Sequence, residues 1–248
     1  MKILVIQSGS KGNATLVIDE SRVLLIDMGI SLSSLKDALA SENKKLLNID
    51  ALLLTHEHAD HAKGVCYLDP LPIYCGEGTY DGLNVNYVKY FDTFNIGHLK
   101  ITVLRTSHDA VMPMGFMIEN KEEKLVYITD TGMIPEQTMQ IIRNADYYVI
   151  EANHNVKMLM ETNRPEMLKC RILSEHGHLN NEDSAMYMSE AVGSNTKEII
   201  LAHLSEEANC PDIALKAYKK IFKREGISLK NITLHCANQH VITIGGKR

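Results

Sequence analysis

Short β-type runs open the chain, with polar turns between them. These runs occupy Ile3–Ile6, Thr15–Ile18 and Val23–Ile26, and the turn-forming segments SGSKGN and DESR join them. Because the connections are short, we expect the three strands to pair in antiparallel order.

Two later segments have the apolar spacing of helices. Residues 31–43, SLSSLKDALASEN, begin with a serine cap candidate and place leucines at helical intervals, and residues 212–225 have a broad apolar stripe. That stripe consists of Ile213, Ala217 and Ile221, flanked by Ala214, Tyr218 and Phe222. We expect a surface helix in the first segment and a helix packed on a sheet in the second.

Eight further apolar runs predict strands, and helical segments lie between many of them. The runs are Ala51–Leu54, Ile101–Leu104, Gly115–Ile118, Leu125–Ile128, Tyr147–Ile150, Glu198–Ala202, Ile232–Leu234 and Val241–Ile244. A meander followed by alternating strands and helices indicates an α/β fold with two sheets back to back and helices outside, although periodicity alone also fits other α/β layouts. No linker or repeat interrupts the sequence, so we expect residues 1–248 to form a single domain.

The composition limits the classes of protein that fit. With 248 residues, 45% of them hydrophobic, the chain can bury a sizeable core. Its five cysteines are scattered without a C-x-x-C pair, which predicts neither a disulfide framework nor a thiolate zinc site. The apolar run at the N-terminus is too short for a signal peptide or a membrane span, so we expect a cytoplasmic protein. A net charge of −5 argues against a broad basic face, and any contact with nucleic acid would be local.

One short segment has an unusual density of metal-binding side chains. Three of the eleven histidines and two acids lie within the six residues HEHADH, positions 56–61, directly after the apolar run Ala51–Leu54. Imidazole nitrogens and carboxylates are common ligands of zinc and similar divalent ions, and one turn at a strand end can direct several of them to a common point. The spacing favours two metal ions over one.

Ligand-type residues also follow three of the other predicted strands. His108 comes after Ile101–Leu104, Asp130 after Leu125–Ile128, and His203 after Glu198–Ala202. Binding groups of α/β folds collect at strand ends, where loops vary while the sheet stays fixed. We therefore expect these residues to converge with the histidine-rich segment in one pocket.

The segment THEHADH resembles the HxHxDH signature of the metallo-β-lactamase superfamily, and the later ligand positions match over nearly the whole chain. The resemblance implies an αββα sandwich of two mixed sheets. It also implies that one metal ion binds to His56, His58 and His108, a second to Asp60, His61 and His203, and that Asp130 bridges them. Asp27, in LLIDMG, matches the early aspartate that supports the site.

Several short strings are similar to the YycJ (WalJ) group of that superfamily. They are GSKGN at 9–13, SHDA at 107–110, TDTG at 129–132, EANH at 151–154, GHLNN at 177–181 and AHLSEE at 202–207. The resemblance implies a metal-dependent phosphodiesterase, most simply an exonuclease on DNA and thus a DNA-repair type of enzyme. The sequence departs from the group at Ala208 and Cys210, where asparagines are more usual, which concerns loop contacts and not the metals.

Two divalent ions roughly 3.5–4 Å apart can lower the pKa of a bridging water and stabilise the entering and leaving oxygens of a phosphodiester. Asp60 and Asp130 would orient the resulting hydroxide. His178, or alternatively His176, is the candidate general acid for the leaving oxygen. Either histidine could instead only hydrogen-bond a loop or a ligand carboxylate.

Other polar residues near these motifs are candidates for supporting the ligands or contacting substrate. They are Asp27, Glu151, His154, Lys157 and Arg171. The basic residues between EANH and EHGH could contact phosphate, but such spacing is more often a solvated helix face.

Alternative functions remain open at this point. A small-molecule hydrolase of the same fold would act on cyclic nucleotides, other phosphodiesters, thioesters or lactones, and a non-catalytic metal-holding module belongs to another class. Nitrogen and oxygen ligands suit zinc, manganese or iron. Motifs do not indicate a protein partner or an oligomeric state.

Overall fold

The computed structural model describes residues 1–247. Its strands form two mixed sheets of seven strands each. The strands are β1 (Lys2–Gln7), β2 (Ala14–Asp19), β3 (Arg22–Ile26), β4 (Ala51–Leu53), β5 (Ile73–Cys75), β6 (Val85–Tyr87), β7 (Thr93–Ile96), β8 (Leu99–Arg105), β9 (Met114–Glu119), β10 (Lys124–Ile128), β11 (Tyr147–Glu151), β12 (Glu198–Ala202), β13 (Thr233–Cys236) and β14 (Thr243–Gly246).

Helices connect many of these strands. They are α1 (Leu32–Ser41), α2 (Ala59–Ala62), α3 (Glu136–Ile142), α4 (Val156–Glu161), α5 (Glu166–Ile172), α6 (Asn181–Ala191) and α7 (Pro211–Arg224). The two helices that the periodicity predicts are present as α1 and α7. Ser31 caps α1, because its side chain accepts a hydrogen bond from the Ser34 amide. Within residues 1–247, no helix combines the length and apolar character needed to cross a bilayer.

The first sheet has the order β14-β1-β2-β3-β4-β5-β6. Strands β1, β2 and β3 pair antiparallel, which confirms the predicted start of the chain, and β3 to β6 are parallel. Helix α1 links β3 to β4. Its Leu35, Ala38 and Leu39 share an apolar core with side chains of the first three strands.

The second sheet has the order β13-β12-β11-β10-β9-β8-β7. Strands β10 to β13 are parallel, and β9 is antiparallel to β10. Ile150 on β11 lies opposite Ile128 on β10 and Leu201 on β12, so the carboxyl ends of the three strands are level with one another. Residues that directly follow these ends therefore emerge side by side.

The chain divides into two compact units. The first comprises residues 1–103, 110–114 and the described residues from Ala237 onward, and the second comprises residues 104–109 and 115–236. In the second unit, α3, α6 and α7 bury apolar side chains against β10, β11 and β12, as with Tyr218 and Phe222 of α7. The single domain expected for residues 1–248 stays a prediction.

The structure adds three strands to those predicted and shifts the last two, of which β13 is Thr233–Cys236 instead of Ile232–Leu234. The sequence does not predict strands β5, β6 and β7, because runs of only three or four residues carry too little periodicity. The last strand is Thr243–Gly246 instead of Val241–Ile244. The Asn238 side chain accepts hydrogen bonds from the His240 and Val241 amides, and this turn delays the start of the strand.

Candidate metal centre

The histidine-rich turn, residues 56–61, begins where β4 ends and runs into α2. The ring centroids of His56 and His58 lie 4.6 Å apart, and those of His56 and His61 lie 4.1 Å apart. A carboxylate oxygen of Asp60 lies 3.6 Å from Nε2 of His61. The turn thus brings three imidazoles and one carboxylate together within the first unit, as the sequence predicts.

Asp27 orients the imidazole of His61 through its Nδ1 atom. The Asp27 carboxylate is fully buried, and its Oδ2 lies 2.8 Å from Nδ1 of His61. The amide and the hydroxyl of Thr55 donate to Asp27 Oδ1 at 2.8 and 2.9 Å. Since an ionised carboxylate only accepts hydrogen bonds, Nδ1 of His61 carries the proton and Nε2 carries the lone pair. This tautomer is the one that binds a metal through Nε2.

Thr55 sets the tautomer of a second imidazole. Its hydroxyl proton goes to Asp27, so the Thr55 oxygen accepts from Nδ1 of His56, 2.9 Å away. Nε2 of His56 is therefore also a lone-pair nitrogen. Asn13, from the GSKGN string, places its amide Nδ2 2.9 Å from Nε2 of His61, as a donor to such a lone pair would.

A second cluster, which we call the Glu151 cluster, lies within the second unit. It consists of Asp130, Glu151, His178 and His203, whose ligand atoms all lie within 4.8 Å of one another. Asp130 follows β10, Glu151 ends β11 and His203 follows β12, so the level ends of three parallel strands bring them together. His178 comes from the loop before α6.

Glu151 holds two histidines of this cluster with one oxygen. Its Oε1 lies 2.8 Å from Nδ1 of His178 and 3.0 Å from Nδ1 of His203, and its Oε2 accepts from the Thr131 and Leu179 amides. Burial alone raises the pKa of Glu151, but the charge and hydrogen bond of His178 and the hydrogen bond of His203 outweigh it and lower the pKa. The carboxylate is therefore ionised, and both Nδ1 atoms carry protons.

His108 completes the set in the second unit. Its Nδ1 donates to the carbonyl of Gly177 over 3.0 Å, and its Nε2 lies 3.9 Å from Oδ1 of Asp130. The same Asp130 oxygen lies 3.4 Å from Nε2 of His203. Burial lowers the pKa of His108, so its imidazole is neutral at physiological pH. Asp130 is therefore placed next to the lone-pair nitrogens of two histidines.

Three residues of the two clusters have an unusual backbone conformation. Asp27, Asp130 and His203 have φ values of 59°, 53° and 55°, in the left-handed region. Each lies one or two residues after the end of a strand, β3, β10 and β12 respectively. Non-glycine residues are uncommon there, and such strain collects at functional sites.

The donors in these clusters fit divalent metal ions. They are imidazole nitrogens and carboxylate oxygens, and each of four histidines has its Nδ1 engaged by a carboxylate, a hydroxyl or a carbonyl. A partner of this kind on Nδ1 is what metal-ligating histidines usually have, because it fixes the ring and leaves Nε2 for the metal. Neutral imidazole together with carboxylate suits zinc, manganese and iron alike.

The remaining predicted residues have varied surroundings. Nδ1 of His176 lies 3.1 Å from the Ser107 hydroxyl. His154 is buried, and burial lowers its pKa to about 4. Lys157 is 83% exposed and lies 3.9 Å from Glu161, which is typical of a solvated helix face. A role for these residues in catalysis or substrate binding stays a prediction.

The sequence predicts Asp27 and Glu151 as supporting residues, but not three others that orient the candidate ligands. Thr55 and Asn13 contact the histidine-rich turn, and Asn153 donates to the His203 carbonyl over 2.9 Å. Threonine and asparagine are common in loops for many reasons, so only the position of Thr55, immediately before His56, carried a signal.

Comparisons with known proteins agree with this chemistry. Residues 22–204 match the family described as the beta-lactamase superfamily domain. The chain belongs to the metallo-β-lactamase superfamily. Within it, the chain is 37% identical to the exodeoxyribonuclease WalJ of Streptococcus pneumoniae, over 86% of this chain and 85% of the relative. It is 33% identical to the exodeoxyribonuclease YycJ of Bacillus anthracis, over 91% and 90%.

Comparison of the fold with solved structures agrees with the assignment to the superfamily. The metallo-β-lactamase fold protein YhfI of Bacillus subtilis superposes with a TM-score of 0.73 at 21% identity, covering 98% of this chain and 99% of that one. The predicted fold class and the predicted kinship to the WalJ and YycJ group are thus confirmed. As a superfamily member with these histidine and aspartate clusters, the protein is a metal-dependent hydrolase.

Proposed function

We propose that the protein is a metal-dependent exodeoxyribonuclease that uses two divalent ions. His56, His58 and His108 would hold one ion, Asp60, His61 and His203 the other, and Asp130 would bridge them. The names of the relatives in Streptococcus pneumoniae and Bacillus anthracis support DNA as the substrate.

The observation that carries this proposal is the fixed orientation of the histidines. Nδ1 of His61 faces Asp27 and Nδ1 of His203 faces Glu151, both in fully buried pairs. A histidine that merely packs in a core needs no ionised partner there, since burying a carboxylate is unfavourable without compensation. The cost of burying two such carboxylates is understandable if they prepare ligands for cations.

When bound, two divalent ions lower the pKa of a water and neutralise charge on the phosphoryl oxygens. The side chains of this chain then have to supply a proton to the leaving oxygen. His178 is suited to proton donation because it is 15% exposed and its Nδ1 proton is held by the ionised Glu151. That contact fixes the ring, and a proton on Nε2 can then be donated to the leaving oxygen.

His176 fits the acid role less well than His178. Its Nδ1 faces the Ser107 hydroxyl, a neutral partner that holds the ring less firmly than an ionised carboxylate does. We therefore assign the proton donation to His178 and a structural role to His176.

The test is degradation of end-labelled single- and double-stranded DNA by metal-stripped protein to which zinc, manganese or iron is returned. Bis-p-nitrophenyl phosphate and a thioester serve as competing substrate classes, and His203→Ala serves as the inactive control. We expect stepwise shortening of DNA from its ends that depends on added metal. Hydrolysis of the thioester alone would reject the nuclease, and DNA degradation by the control would indicate a contaminant.

A further inference from the structure

Three successive residues of one loop are tied to one other segment. The His108 segment, residues 107–109, contacts the 171–177 segment, which contains the end of α5 and the turn after it. Ser107 Oγ lies 3.1 Å from Nδ1 of His176, and Nδ1 of His108 donates to the Gly177 carbonyl. The third contact is an ion pair between Asp109 and Arg171.

The ion pair has the two-pronged geometry of the strongest arginine contacts. Arg171 Nε lies 2.6 Å from Asp109 Oδ2, and Arg171 Nη2 donates to Oδ1 over 2.9 Å. Two parallel hydrogen bonds fix the direction of the carboxylate as well as its distance, which a lysine cannot do. Oδ1 of Asp109 also lies 3.3 Å from Nε2 of His108, the nitrogen that faces Asp130.

The 171–177 segment is itself a rigid support. A Cβ at Gly177 would overlap the carbonyl oxygens of Arg171 and Ile172, so only glycine permits this close turn. The His178 amide donates to the Ile172 carbonyl over 3.0 Å, which joins the turn back to the helix. Because the 171–177 segment cannot shift easily, it fixes the position of the His108 segment that it contacts.

We propose that Arg171 is a positioning residue for metal binding: by fixing Asp109 it holds the adjacent His108 in the orientation that binds the metal ion. This inference rests on the proposed function, in which His108 is a ligand of one metal ion. It differs from the phosphate contact that the sequence left open as an alternative, because the charge of Arg171 is directed at Asp109.

The test measures metal affinity in the full chain, by competition with a chelator and by the visible spectrum of bound Co²⁺. We expect Arg171→Ala to lower the affinity for the metal ion that His108 binds by about tenfold or more, as loss of a residue that orients a ligand usually does. The affinity for the other ion should not change. Arg171→Lys keeps the positive charge but cannot form the two parallel hydrogen bonds, so it should recover part of the metal affinity. Asp109→Ala should match Arg171→Ala, and the double variant should add little more.

Arg164→Ala is the matched control, since Arg164 also pairs with a carboxylate, that of Glu207, at 2.8 Å. It should change neither metal constant. Unchanged metal constants in Arg171→Ala would overturn the proposal, and a raised KM for DNA alone would then assign Arg171 to phosphate. If His108→Ala itself leaves both constants unchanged, the proposed ligand set is wrong instead. Thermal unfolding of each variant shows whether it is folded, and Asp109→Ala replaces Arg171→Ala if the latter is not.

Discussion

The histidine-rich turn and the Glu151 cluster achieve similar chemistry by opposite routes. In the turn, four candidate metal ligands lie within six consecutive residues. In the Glu151 cluster, four residues come from positions spread over more than seventy residues of sequence, and three parallel strands bring them together. A local turn needs little more than its own sequence, whereas the cluster exists only when the second sheet has formed.

Both regions use a fully buried carboxylate to orient histidines, but the two carboxylates differ in how many histidines they contact. Asp27 holds one histidine, His61, and Thr55 satisfies its other oxygen. Glu151 holds both His203 and His178 with a single oxygen. The difference predicts that Glu151 affects metal binding and proton donation together, while Asp27 affects metal binding alone.

The largest effect is expected from Glu151→Gln. Glutamine has one accepting oxygen, which can serve either the two Nδ1 protons or the Thr131 and Leu179 amides but not both sets. It also lacks the negative charge, so His203 and His178 would both be held less firmly. Metal affinity should fall by about 10- to 100-fold. With metal saturating, kcat should fall by a further factor of about 10²–10⁴, the usual contribution of a general acid. Chelator competition measures the loss of metal affinity, and DNA degradation measures the loss of kcat. Loss of only one of them would show that Glu151 does not serve both metal binding and proton donation.

His178→Ala separates the two roles of the Glu151 cluster. We expect kcat to fall by about 10²–10⁴ with both metals retained, because in the proposed mechanism His178 donates a proton and is not one of the metal ligands. Metal content by mass spectrometry and turnover are measured on the same sample. His176→Ala is the control and should change kcat far less. Wild-type turnover in His178→Ala would remove its role as the acid.

Asp27→Asn tests the other carboxylate. The amide weakens the grip on Nδ1 of His61, and we expect a loss of about 10- to 100-fold in metal affinity. At saturating metal the rate should return close to that of the wild type, since Asp27 contacts no proposed acid. A kcat that stays low at every metal concentration would show that the two regions do not differ in the way described.

A smaller effect, on stability, is expected from His154 in the EANH string. Burial lowers its pKa to about 4 in the folded protein, from 6.5 in an exposed chain. As pH falls from 6.5 towards 4, the unfolded chain takes up a proton that the folded protein does not, so the free energy of unfolding falls by up to about 3 kcal/mol. Urea unfolding should show a shallower fall for His154→Gln, whereas a change at the exposed His240 should leave it unaltered. Equal slopes for all three proteins would reject the shift.

The same comparison explains what the sequence could predict. The histidine-rich turn was evident from residues 56–61 alone, and strand-like runs indicated Asp130 and His203 because ligands follow strand ends. Glu151 was harder to assign, since it ends a strand like any buried polar residue until His178 and His203 are seen beside it. Thr55 and Asn13 could not be recognised, because their role consists of a direction of hydrogen bonding that only the folded backbone sets.

Backbone strain and the support of His108 were equally invisible in the sequence. The left-handed conformations of Asp27, Asp130 and His203 depend on what surrounds each strand end. The pair between Asp109 and Arg171 joins residues 62 positions apart, and neither residue type indicates the other. The strands and the ligand types follow from local pattern, whereas the orientation of the ligands depends on tertiary contacts.

The central claim is that seven side chains hold two metal ions, and a crystal structure of the protein grown with Mn²⁺ or Zn²⁺, with anomalous data at the metal edge, tests it most directly. We predict two anomalous peaks per chain, one contacted by His56, His58 and His108, the other by Asp60, His61 and His203, with Asp130 touching both. A single peak, or peaks that these residues do not contact, would contradict the account.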